Sequence, residues 1–204
     1  MSSLTATAHP DIAATDVVLD INNVLDTFSR STSNGWGTAN TGQSWTVDAT
    51  PASDYSTNGS SAIITVSVTN SERRIVIPAG TVDHRVRITG LLAVTPTGAG
   101  INMGILLRHV DASTYIWADL QVGTDSSLTL RVVQRVGALI LVDSVVLAAL
   151  HNTGIARTLI AEVTGTTVRI KTHLVNVGEP EDWQLEAVVT DAAMQTGTNA
   201  GVDV

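Results

Sequence analysis

The sequence predicts an all-β chain folded as a two-sheet antiparallel sandwich. Val, Ile, Thr and Leu dominate it, and Gly, Asn, Asp and Ser interrupt them at short intervals. Apolar and polar residues alternate at period two in one segment after another. Nowhere does an apolar stripe at i, i+3, i+4, i+7 persist over about twelve residues with caps. The best helical candidate, Val145 to His151, is short and β-branched at its start. A length of 204 residues suits one large sandwich. A chain of this size buries roughly 70% of its unfolded surface and needs no staple. It has no cysteine, which excludes disulfides, thiolate catalysis and Cys-ligated zinc.

The elements follow in order. A polar lead precedes one strand, Asp16 to Ile21, which is unstable alone and must pair with the body or with another subunit. Ala62 to Val68 places Ile64, Val66 and Val68 on one face. Val82 to Leu92 and Ile101 to Arg108 read likewise. Tyr115 to Val122, Ser127 to Val136 and Leu139 to Leu147 make three successive strands, turned at Gly123–Ser126 and Val136–Gly137. Thr158 to Val163 and Thr167 to Val175 form a tight hairpin around Gly165-Thr166. Leu159, Ala161 and Val163 should face Val168, Ile170 and Thr172. Residues 1–24 are expected as an N-terminal arm, and 25–204 as the sandwich.

Acids outnumber bases 19 to 11, for a net charge of −8, so phosphate backbones should be repelled and nucleic acid is not an expected partner. No apolar run reaches the ~18 residues of a membrane span. The start, MSSLTATAHPDIAATD, lacks the basic and apolar regions of a signal peptide.

Catalytic patterns are missing. The glutamates are Glu72, Glu162, Glu179, Glu181 and Glu186. Only the last three cluster, and Pro180 makes that cluster a turn rather than a glycosidase strand bearing paired acids. His9, His84, His109, His151 and His173 are far apart, with no H-x-H or H-E-x-x-H spacing. Asp54, Asp83, Asp111 and Asp125 read as turn formers rather than calcium ligands. No catalytic residue, metal or cofactor is expected.

The most informative strand is Tyr115 to Gln121. Alternation puts Tyr115, Trp117, Asp119 and Gln121 on one face, and Ile116, Ala118 and Leu120 in the core. The next strand points Thr129, Arg131 and Val133 outward. An aromatic, acidic, amide and guanidinium surface is the mix that binds sugars. The alternative is that Trp117 packs under a loop while Asp119 and Arg131 form an ordinary pair.

The segment Leu25–Val47 carries D-x-F-x-R (Asp26, Phe28, Arg30), then G-W-G-x-A (from Gly35), then G-x-x-W (Gly42, Trp45). It resembles the opening of concanavalin A-like (laminin G-like) jelly-roll domains in minor tail proteins of actinobacterial phages. Arg108-x-x-Asp111 before Tyr115, the turn in Glu162–Gly165, and Pro180-x-x-Trp183 resemble the same family, as does the N-terminal start. The resemblance covers about residues 25–204. It implies a jelly roll whose concave sheet carries the Tyr115–Arg131 surface, with Trp36, Trp45 and Trp183 capping the core and Phe28 packed beside them. It implies a non-catalytic virion protein of tail or fibre, structural or adhesive, with host-surface glycan as a ligand and other virion proteins as partners. A stand-alone carbohydrate-binding module of a bacterial protein is the alternative, and a glycoside hydrolase a third. Family members continue past Gly201–Val204 to a last strand. Either this chain is a fragment, or another strand, such as Asp16–Ile21, fills that place. Both ends would then expose an open sheet edge, so residues 1–24 are expected to contact another subunit, in a homotrimer or a virion.

Overall fold

Period-two patterning becomes two stacked antiparallel sheets. The computed structural model describes residues 24–49, 51–66, 71–92 and 96–204, and the backbone course of 11–19. The first sheet has nine strands: β1 (Asp11–Leu19), β2 (Val24–Asp26), β3 (Ser31–Ser33), β5 (Tyr55–Asn58), β6 (Ala62–Thr65), β8 (His84–Leu92), β13 (Arg157–Thr164), β14 (Thr167–Leu174) and β15 (Leu185–Val188). Its order is β15-β14-β13-β8-β1-β6-β5-β3, with β2 also on β1. The second has seven: β4 (Thr46–Ala49), β7 (Arg74–Pro78), β9 (Ile101–Asp111), β10 (Thr114–Val122), β11 (Ser127–Val136), β12 (Ala138–Leu150) and β16 (Asn199–Asp203). Its order is β12-β11-β10-β9-β16-β7-β4. All strand pairings are antiparallel. Among the described residues there is no α-helix, and none is long and apolar enough to cross a membrane.

The expected hairpin is present in the expected register: Leu159 opposes Thr172, Ala161 opposes Ile170, and Val163 opposes Val168. One side of each strand fills the space between the sheets. Val86 and Ile88 of β8 meet Ile105 and Leu107 of β9 and Ile116, Ala118 and Leu120 of β10 in one core. Val145–His151 belongs to strand β12 and its end, not to a helix. There β-branched residues pair along β11, and tertiary pairing overrides the short apolar run.

The ends differ from the sequence expectation. β16 lies inside the seven-stranded sheet, bonded to β9 on one side and β7 on the other. β1 starts earlier than expected, at Asp11, and lies inside the nine-stranded sheet between β8 and β6. Both edges expected to be open are therefore paired within the chain. Residues 1–10 and 20–23, the rest of the expected arm and the end of its strand, lie outside the described residues, as do Val68 of the Ala62–Val68 strand and His9.

The motif residues hold the frame. Asp26 is fully buried and accepts both prongs of the Arg30 guanidinium (2.7 and 2.6 Å), the Trp45 indole N–H (2.8 Å) and the Phe28 amide (2.9 Å). These bonds hold Phe28 at φ 52°, a left-handed conformation costly for a bulky residue. Trp36 packs edge-on against both Phe28 and Trp45, with Trp36 and Trp45 centroids 4.9 Å apart. Arg108, 1% exposed, donates to Val82 O, Met194 O, Gln195 Oε1 and Asp83 Oδ1. Trp183 does not cap the core. It lies on the outer face of the nine-stranded sheet, 4.7 Å from the Lys171 ammonium and 5.5 Å from the Arg85 guanidinium.

Candidate functional site

The polar residues of β10 and β11 share the outer face of the seven-stranded sheet, where register lines them up across five strands. Arg131 (β11) opposes Asp119 (β10), which opposes Gly104 (β9), then Asp203 (β16), then Arg74 (β7). Guanidinium, carboxylate, gap, carboxylate and guanidinium thus follow one another along a single row.

Asp119 and Arg131 are paired as a fork. Nε donates to Oδ1 at 2.9 Å and Nη2 to Oδ2 at 2.8 Å. Asp119 is wholly buried, while the Arg131 side chain keeps 20% exposure. Burial pushes the Asp119 carboxyl up to about 6, against the pull of Arg131. Trp117, 7% exposed, packs with Val76, Leu106, Tyr115 and Val133 in a small second core on this face. Arg131 also stands 5.7 Å over its ring. The indole crosses the row above Gly104: a Cβ there would lie 1.8 Å from Trp117 Nε1. Only glycine leaves that room.

Tyr115 is fully enclosed, so its ring is not open to a ligand. It stacks on His109, with centroids 5.9 Å apart, and its hydroxyl oxygen accepts from Arg74 Nη1 (3.0 Å) and Arg135 Nη1 (2.9 Å). Glu72 accepts from both arginines, and Asp48 accepts from Arg74 Nε at 2.6 Å and meets His109 Nε2 at 3.0 Å. Burial raises the Asp48 carboxyl, but the Arg74 bond and the neighbouring charges outweigh it and hold it low. Burial lowers the His109 imidazole. Gln121, opposite Asn102 and Thr129, is half-buried at the end of the face.

The fold thus gathers all five expected residues, Tyr115, Trp117, Asp119, Gln121 and Arg131, on one face. Of these, Arg131 and Gln121 reach solvent, while Tyr115, Trp117 and Asp119 lie beneath. The fold adds Asp48, Glu72, Arg74, Asn102, His109, Arg135 and Asp203. They come from five strands and a loop, so no single segment marks the set. The alternation of Asn102, Gly104 and Leu106 on β9 was the available signal.

This face carries a further property. Trp117 Nε1, Asn102 Oδ1, His109 Nδ1 and both carboxyl oxygens of Asp203 are buried without a hydrogen-bond partner. Arg74 Nη1 stands 3.8 Å from Asp203, beyond bonding distance. Complete burial, reinforced by Glu72, drives the Asp203 carboxyl well above the usual range. Among the described residues no cluster of His, Asp and Glu is arranged to hold a metal ion.

No family model and no curated protein matches this sequence. Among solved structures, the fold is similar to that of the carbohydrate-binding module CBM66 from Bacillus subtilis. That match has a TM-score of 0.53 at 13% identity and covers 78% of this chain and 86% of that one. At this identity the likeness is one of fold: both chains are β-sandwiches of the jelly-roll kind.

Proposed function

We propose that the chain is a non-catalytic carbohydrate-binding module whose ligand rests on the outer face of the seven-stranded sheet. The observation that carries this reading is the set of unsatisfied polar atoms on that face. Buried polar groups are nearly always bonded, and these include an indole donor, an amide acceptor and a carboxyl raised toward its neutral form. These atoms lie just beneath the surface, so a sugar hydroxyl would reach them through a bridging water, which both donates and accepts and so matches such a mixed set. Arg131 and Gln121, at the solvent side, are the groups that reach a bound ring first. The carbohydrate-binding module of similar fold supports the same class.

A hydrolytic role fits poorly. The space between Asp119 and Asp203 is filled by the Trp117 indole, so no scissile bond fits between them. Glu179 is clamped by Arg85, Arg87 and Lys171, which draw it down to about 2 although burial opposes them. Such a carboxyl is a poor general acid. The virion role implied by the sequence resemblance draws no support from the comparisons, so the carbohydrate-binding reading takes precedence.

Calorimetric titration against a panel of neutral and acidic polysaccharides tests this. Saturable binding without release of reducing ends is expected, with Gln121→Ala weakening it about tenfold; Arg131 is unsuited to truncation because it holds the buried Asp119. Trp117→Ala is the poorer probe. Its ring is buried, and truncation should cost about 3–5 kcal/mol of stability whatever is bound. A panel without binding, or binding indifferent to Gln121, would overturn the proposal.

A further inference from the structure

Arg157 opens β13, two residues before the core residue Leu159, and strand alternation turns it inward between the sheets. It is 7% exposed. Among the described residues no carboxylate pairs with it, and its Nε is buried without a hydrogen-bond partner. His151 lies beside it at 8% exposure, its Nε2 also unpartnered. Together they are the polar part of a narrow cleft at one end of the sandwich. The remaining wall is aliphatic: Leu92, Ile101, Met103, Leu120, Val122 and Ile155. Gly90 faces Arg157 across the β8–β13 pair and leaves the floor open. The free space is about 20 Å³, enough for one water or the head of a small anion.

An isolated buried cation is far more costly than an exposed one, and buried charges are as a rule paired. Burial lowers the Arg157 guanidinium, and burial together with Arg157 lowers the His151 imidazole. The chain has 19 acidic residues, yet the described residues place none beside Arg157. We propose that this end of the intersheet cleft binds a small carboxylate of formate or acetate size. The carboxylate oxygens would accept from the Arg157 fork and from the Nε2–H tautomer of His151, while the carbon end meets the aliphatic wall. The site is separate from the outer sheet face, so its fate is independent of glycan binding.

Thermal melts of the full chain in a zwitterionic buffer at pH 7 and constant ionic strength test this. Sodium formate and acetate should raise Tm saturably, whereas hexanoate, whose chain is too long for the space, should not. At ten times Kd the folding equilibrium should shift about 11-fold. Arg157→Met should raise Tm without carboxylate and abolish the response. A Tm that rises equally with every salt, a chloride response equal to that of acetate, or a response that survives Arg157→Met would each overturn the site. If that variant fails to fold, the Arg157 side-chain N–H resonance of the unaltered chain decides. A saturable shift with acetate supports the site, and an unmoved signal refutes it.

Discussion

The outer face of the seven-stranded sheet and the end of the intersheet cleft both hold arginines largely or partly withdrawn from water, and they treat them differently. On the outer face Arg74, Arg131 and Arg135 each stand within ion-pair distance of a carboxylate from another strand or a loop. In the cleft Arg157 has aliphatic neighbours and His151. The first arrangement is closed by the fold itself, and its spare hydrogen-bonding capacity lies in the indole, amide and carboxyl between the pairs. The second is left open by the fold and asks for an anion from outside. The same residue type on the same kind of strand therefore has opposite consequences, set by whether a neighbouring strand supplies a carboxylate.

The largest expected effect tests the frame on which both regions depend. β1 bonds to β8 along one side and to β6 along the other, and Gly90, which faces Arg157, also pairs with Ala14 of β1. Deleting residues 1–24 should split the nine-stranded sheet and give insoluble or unfolded protein, seen as lost soluble yield and a collapsed β-type circular dichroism spectrum. A folded, soluble truncated chain would show that β8 and β6 can close without β1, and the cleft would then have to be redrawn.

Next comes a direct contrast. Arg131→Met strands a buried carboxylate, and urea denaturation at pH 7 should show a loss of about 3–5 kcal/mol. The same change at Arg157 should have the opposite sign in the absence of carboxylate. Matching signs at the two sites would erase the distinction between them.

A somewhat smaller effect sharpens the account of Asp119. Its carboxyl stands at about 6 in the folded chain, above the usual ~3.9 of an unfolded one. Between these values the folded state binds more protons, so the Asp119 contribution is full below about pH 4 and is lost as pH rises through about 6. The loss is on the order of 2–3 kcal/mol. Asp119→Asn should flatten stability over pH 5–7, and an unchanged slope would assign the titration elsewhere. The smallest effect is expected at Glu179→Gln. Glu179 is partly exposed, so its loss should change stability by about 1 kcal/mol or less. A larger loss would make the Lys171–Trp183 cluster a second buried polar layer.

Much of the fold was legible because strand pairing reads local alternation. Leu159, Ala161 and Val163 announce their inward face and, with the two-residue turn at Gly165-Thr166, their register against Val168, Ile170 and Thr172. Tyr115, Trp117, Asp119 and Gln121 likewise announce that they share a face. Alternation says which side of a strand a residue takes, but not what lies above it. It therefore could not show that Tyr115 is sealed by His109 and two arginines, or that Trp117 lies across Gly104.

The sequence by itself determined the all-β class, the successive strands β10, β11 and β12 and the hairpin β13–β14, the polar outer side of β10, and the absence of disulfides and of familiar catalytic spacings. These depend on period, turn residues and composition, all readable within a few neighbours along the chain. Only the tertiary structure decided that β1 and β16 run through the middle of their sheets, that Asp203 and Arg74 extend the row begun by Arg131 and Asp119, and that Arg157 enters the cleft with no carboxylate beside it among the described residues. Those outcomes depend on strands distant in sequence, and on which charges the fold brings near one another once water is removed.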